Sequence, residues 1–162
     1  MRFDAEVIDI EKDADTQVIL GHAGFIKTAE DLYEAMVNAV PGVKFGVAFA
    51  EASGPCLVRS EGNDNGLRGL AEKNMLKIGA GHSFLILFKS AYPINVANAV
   101  KNVNEVSRIY CATANKLQVL IASTKLGRSI IGVVDGESTK GVEKETDRAT
   151  RRKFIRDIGY KL

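Results

Sequence analysis

The hydrophobic positions of this chain change period several times, and each change marks an element. Residues 3–10 and 16–20 are short β-prone segments around the acidic, polar stretch 11–15, a pattern that predicts an N-terminal hairpin. Over TAEDLYEAMVNAV the residues Leu32, Ala35, Met36, Ala39 and Val40 recur at helical spacing. Thr28 with Asp31 forms a capping-box-like start, and Pro41-Gly42 is the stop. In VKFGVAFA, bulky Val43, Phe45, Val47 and Phe49 alternate with Lys44, Gly46, Ala48 and Ala50, which predicts a strand with one bulky and one small face. The small face admits close approach of either a packed helix or a flat ligand such as a purine.

The turn-rich segment EASGPCLVRSEGNDNGLRG leads into a second helical pattern at Leu67, Leu70, Ala71, Met75 and Ile78. SFLILF follows as a continuous apolar run, the signature of a central strand buried on both faces. Pro93 opens a third helix through Val96, Ala97, Val100 and Val103. Three strands at 106–111, 117–123 and 129–134, joined by ATANK and TKLGR, predict an antiparallel meander. A last helix over 142–158 places Glu143, Glu145 and Asp147 early and Arg151, Arg152, Lys153 and Arg156 late, in the order that suits the helix dipole, with Gly159 as its cap. The order of elements predicts one α+β domain over residues 1–162, a mixed, largely antiparallel sheet packed by about four helices.

Composition changes this picture little. The chain has 162 residues, of which 46% are hydrophobic and 26% charged, as in a globular domain able to bury a core without disulfides. The net charge of +2 comes from the last 25 residues, with eight Lys/Arg against four Asp/Glu; the last helix explains that cluster, so nucleic acid is not an expected partner. No apolar run is long enough to span a bilayer, and MRFDAEVIDIEKD has acidic residues where a secretory segment has basic ones, so the expected location is cytoplasmic. Cys56 and Cys111 belong to no CxxC pair and are expected as small buried thiols.

Candidate chemistry concentrates in IGAGHSFLILF. No GxxxxGK[ST] is present, and the Gly79-Ala80-Gly81 turn leads into a strand, so neither a P-loop nor a dinucleotide-binding helix start is available. No HxxxH or HExxH pair offers a metal site. A neutral imidazole at His82 can accept a phosphoryl group or a proton, provided another group orients its opposite nitrogen. The same residue can equally be a strand-start histidine bonded to a carbonyl. Glu51, Ser53 and Arg59 flank one turn. Asn63 and Asp64 precede the second helix, either as an anion or ribose site or as an Asx turn and cap. His22 reads as a solvated turn residue, Lys27 as a phosphate partner or the residue before a helix cap, and Asp135 as a strand-end carboxylate. Thr113 and Asn115 lie in a hairpin-like connection.

Taken in order, GFIKTAEDLYEAM, KFGVAFAEASGPCLVRSEGNDNG, IGAGHSFLIL, YPINVANAVKNVNEVSRIYCATANKLQVLIA, GRSIIGVVDG and RRKFIRDIGYK resemble the adenosine-specific kinase family of archaea and bacteria, over nearly the whole chain. The resemblance implies a small α+β fold, binding of adenosine or AMP, a histidine as phosphoryl carrier, and a homo-oligomer. Carried onto this sequence, it implies His82 as the carrier and Asp64 or Glu51 as the group that orients the nucleoside hydroxyl. Lys27 and Arg59 would stabilise phosphate charge, and Ser53, Asn63, Ser83 and Asp135 complete the substrate-binding set. No cofactor is certain, but a nucleoside triphosphate donor would bring magnesium with it. A non-catalytic adenosine sensor and a structural subunit with an inert His82 remain the alternatives.

Overall fold

The apolar patterns organise around two sheets. The computed structural model describes residues 4–162. Its elements are β1 (Asp4–Asp9), β2 (Gln17–Ala23), α1 (Thr28–Ala39), β3 (Lys44–Ala50), β4 (Val58–Gly62), α2 (Asn65–Ile78), β5 (Ser83–Lys89), α3 (Pro93–Lys101), β6 (Val106–Thr113), β7 (Leu117–Ser123), β8 (Arg128–Asp135) and α4 (Glu145–Asp157). One sheet has the order β4-β3-β5-β2-β6 and the other the order β1-β7-β8. Every pairing of these strands is antiparallel. A parallel contact appears only as the bridge between Ala80 and Arg128 among the described residues.

SFLILF is the central strand that its composition predicts, and its alternation builds two cores. Phe84, Ile86 and Phe88 join Phe45, Val47 and Phe49 beneath Leu32 and Met36 of α1 and Val96 and Val100 of α3. Leu85 and Leu87 point the other way, toward Ala71 and Met75 of α2 and Val119 and Ile121 of the second sheet. The larger sheet is therefore sandwiched between a helical layer and a layer made of α2 and the smaller sheet. The small face of β3 belongs to α2 and not to a flat ligand. A β-carbon on Gly46 would collide with the backbone of Arg68, which is how closely that helix approaches.

The α+β class and the four helices stand as the sequence predicts, while two strand pairings and one helix cap differ. The N-terminal hairpin does not form: β1 pairs with β7, whereas β2 lies between β5 and β6. The reason is burial. Residues 17–21 are buried throughout and need partners on both edges, whereas β1 is largely exposed and suits the edge of the smaller sheet. Residue 3, where the first segment was expected to begin, lies outside the described residues. The meander is half realised, since β7 and β8 form a hairpin while β6 pairs with β2 in the other sheet. At α1 the Thr28 hydroxyl donates to the Phe25 carbonyl at 2.5 Å, Lys27 occupies the cap position and Asp31 pairs with Lys27, so the capping box does not form.

Candidate functional site: a histidine pair at one end of the larger sheet

Antiparallel register brings five strand ends to the same edge of the larger sheet. His22 stands opposite Ser83 and Arg108, Phe49 opposite Phe84 and Arg59, and Ala50 opposite Val58. Residues remote in sequence thus meet where β2 and β3 end and β4, β5 and β6 begin.

His82 sits at the centre of this edge. Gly79 caps α2 in the left-handed region and donates its N–H to the Met75 carbonyl at 2.8 Å, which turns the chain back toward the sheet. His82 itself has φ +61°, a conformation that non-glycine residues seldom adopt and that concentrates at functional sites. Its N–H donates to the Ala50 carbonyl at 2.7 Å and its carbonyl accepts from the Ala23 N–H at 2.9 Å, so the backbone of one residue ties the ends of β2 and β3. The ring stacks on Phe49, with centroids 6.0 Å apart and planes at 12°.

His22 reaches the same place from β2. The two imidazole centroids are 5.9 Å apart with the rings at 81°, edge to face. Nδ1 of His22 lies 2.8 Å from Oγ of Ser107, whose hydroxyl also contacts the His22 carbonyl at 3.2 Å. Burial, with His82 and Arg108 close by, lowers the pKa of His22 from its ordinary value, so the ring is neutral at pH 7.

Glu51 extends from the end of β3. Its Oε2 accepts from Arg59 at 3.0 Å and from the Leu57 N–H at 3.3 Å, which pins the turn 51–57, where Ser53 is exposed. Lys27 pairs with Asp31 and, at 3.3 Å, with Glu105 at the start of β6. A cleft of about 570 Å³ opens beside the glycine turn, lined by Glu51, Leu57, Gly79, Gly81 and Arg128. A nucleoside-sized molecule fits such a volume, and the cleft offers a carboxylate and a guanidinium.

Several residues expected at the site are elsewhere. Asn63 and Asp64 lie at the opposite end of β3. Asn63 bridges the Val43 carbonyl and the Phe45 N–H at 2.8 and 3.0 Å, and Asp64 caps α2 by accepting from the Leu67 N–H at 2.9 Å. From Phe45 to Ala50 the strand rises about 17 Å, so Asp64 cannot act on a group held by His82. Asp135 closes the far end of β8, accepting from the Thr113 hydroxyl at 2.7 Å and the Asn115 amide at 3.0 Å. Ser83 is buried and donates to the Ala80 carbonyl at 2.5 Å, which leaves it no free hydrogen for a substrate. His22, Ser107 and Phe49 are site residues that sequence spacing does not reveal. The one available signal was that His22 is the chain's only other histidine. Among the described residues no group of three or more His, Cys, Asp or Glu is arranged to hold a metal ion.

The site defines a small α+β protein with two imidazoles at one end of its larger sheet and a cleft beside the adjoining glycine turn. Residues 8–161 match the family model described as adenosine specific kinase, and the chain belongs to that family. It is similar over 99% of both chains, at 50% identity and a TM-score of 0.97, to the PH1918 protein from Pyrococcus horikoshii OT3, whose crystal structure is known. No curated protein matches the chain. No helix of the described residues is long and apolar enough to cross a membrane.

Proposed function

We propose that this protein transfers a phosphoryl group to adenosine through His82. The observation that carries the reading is the convergence of the chain's two histidines at one sheet end, with His82 held in a left-handed conformation directly after Gly81, which lines the cleft. Family membership supplies the substrate class. Adenosine occupies the cleft with its ribose hydroxyls toward Glu51, and a nitrogen of His82 takes the phosphoryl group from a nucleoside triphosphate and passes it to the sugar hydroxyl. Magnesium accompanies that donor. The donor's own phosphates would be its principal ligands, and Glu51 is the carboxylate that lines the cleft. The hydroxyl end of the nucleoside then lies toward the sheet edge, where Arg59 and Lys27 are two of the cations near that group of strand ends.

A second reading, adenosine or AMP binding without transfer, is favoured by the state of those cations. Lys27 is neutralised by Asp31 and Glu105, and Arg59 by Glu51, which leaves less positive charge for a transferring phosphoryl group. Incubation with γ-labelled ATP, magnesium and adenosine decides between the two. Labelled AMP from the wild-type protein, reduced in Glu51→Gln, supports transfer. Adenosine-dependent thermal stabilisation with no labelled product supports the sensor.

A further inference from the structure

We infer that His22 is the general base of this transfer, held for the task by Ser107. The inference rests on the reading of His82 as phosphoryl carrier and adds a second histidine with a different role. Proton counting at Ser107 assigns the tautomer. Its hydroxyl has one hydrogen for two neighbours. Assigned to the His22 carbonyl at 3.2 Å, that hydrogen leaves the 2.8 Å contact with Nδ1 to an oxygen lone pair and a hydrogen on Nδ1. In a neutral ring the unprotonated nitrogen is then Nε2, free to take a proton. Among the described residues His82 has no equivalent partner on its ring; it is placed by stacking on Phe49 and by its backbone bonds. One imidazole is thus held by a hydroxyl and the other by stacking and its backbone.

The titratable and charged groups around His22 come from each neighbouring element. They are His82 before β5, Arg108 on β6, Glu105 at the start of β6 with its partner Lys27, and Glu51 after β3, already paired with Arg59. Burial, and after it His82 and Arg108, disfavour the protonated form of the ring.

The step balances as follows. The sugar hydroxyl oxygen of adenosine bonds to phosphorus while the P–N bond to His82 breaks and the ring nitrogen keeps its electron pair. The hydroxyl proton passes to Nε2 of His22. From there it returns, directly or through water, to the nitrogen that His82 has just recovered, so both rings end neutral and the product is the phosphorylated nucleoside. The two rings lie 5.9 Å apart between centroids, edge to face, within reach of a proton passed directly or through one water.

Separating the two half-reactions tests this. Protein loaded from ATP and magnesium is freed of nucleotide, and discharge of its phosphate is followed after adenosine is added, for wild type, His22→Gln, Ser107→Ala and Ser107→Thr, each checked for unchanged melting temperature. His22→Gln should load normally and discharge about 100-fold more slowly, the scale of lost general base catalysis. The wild-type discharge rate should rise with pH through the titration of His22, a limb absent from the variant. Ser107→Ala should discharge slowly and Ser107→Thr should restore the rate. In a ¹⁵N spectrum, His22 should carry its hydrogen on Nδ1 at neutral pH. Equal discharge by His22→Gln, or a hydrogen on Nε2, overturns the base assignment and leaves His82 as carrier. Loss of loading in His22→Gln but not in His82→Asn reverses the roles and overturns both readings, and a wild-type protein that never loads removes the carrier and the base together.

Discussion

At the scale of single residues, backbone conformation is the mark that separates His82 from an ordinary strand-start histidine. A left-handed conformation costs a residue with a β-carbon about 1 kcal/mol more than it costs glycine. His82→Gly should therefore be more stable than His82→Ala by about 1 kcal/mol in chemical denaturation, and equality of the two would mean that the strain is not present in solution. The thiols make a second residue-level prediction. Burial, with Asp135 adding to it, pushes the Cys111 thiol up to about 12, whereas Cys56 is exposed. At pH 8, iodoacetamide should label Cys56 and leave Cys111 until the protein unfolds, and rapid labelling of both by the native protein would contradict that burial. Sequence reading singled out His82 because glycines flank it, and it placed Glu51 and Arg59 around one turn, where the structure pairs them. It missed His22 because the strand register that brings residues 22, 82 and 107 together leaves no spacing signal. It overvalued Asp64 and Asp135, because a carboxylate used as a helix cap or turn lock looks, in sequence, like one free for substrate.

At the scale of elements, local patterns were legible and partners were not. The four helices and the central strand follow from periodicity and from Pro and Gly stops, since these depend on near neighbours. The expected N-terminal hairpin failed because pairing is decided by which strand must be buried on both edges, and that competition involves the whole chain. The contact of α2 with β3 has a sharp consequence. Gly46→Ala places a methyl group against the Arg68 backbone, which has no flexible end to move aside, so it should destabilise the fold by about 2 kcal/mol or more. A variant as stable as wild type would mean that α2 does not sit so close. The start of the chain is fastened to α2 by Glu11, whose carboxyl is lowered from 4.5 to about 2 by hydrogen bonds to Lys73 and Lys77. A depressed carboxylate stabilises the folded state above its unfolded value, and this contribution fades as pH falls from about 4.5 to about 2. Wild type should be more stable than Glu11→Gln at pH 7 and equal to it near pH 2, and a gap that does not change with pH would refute the coupling.

At the scale of the whole molecule, the two-sheet architecture leaves surface that the chain alone does not cover. No residue of α4 is buried, yet Phe154 and Ile158 expose apolar side chains there, and Ile131 and Val134 do so on the smaller sheet. Association with further copies would bury these groups. Light scattering should therefore give a mass that is a multiple of 17.5 kDa, and Phe154→Glu should shift it toward the monomer; a monomeric wild type would remove self-association from the account. The same architecture explains why the site lies where it does. Five strand ends, two glycines in a tight turn and the end of α2 converge only at the edge that carries His82. The most direct test of the central claim is the intact mass of the protein after incubation with ATP and magnesium, measured at neutral and at acidic pH for wild type and His82→Asn. The account predicts one added phosphate that is lost in acid and absent from the variant. An unchanged mass for wild type, or an identical adduct on both proteins, would contradict it.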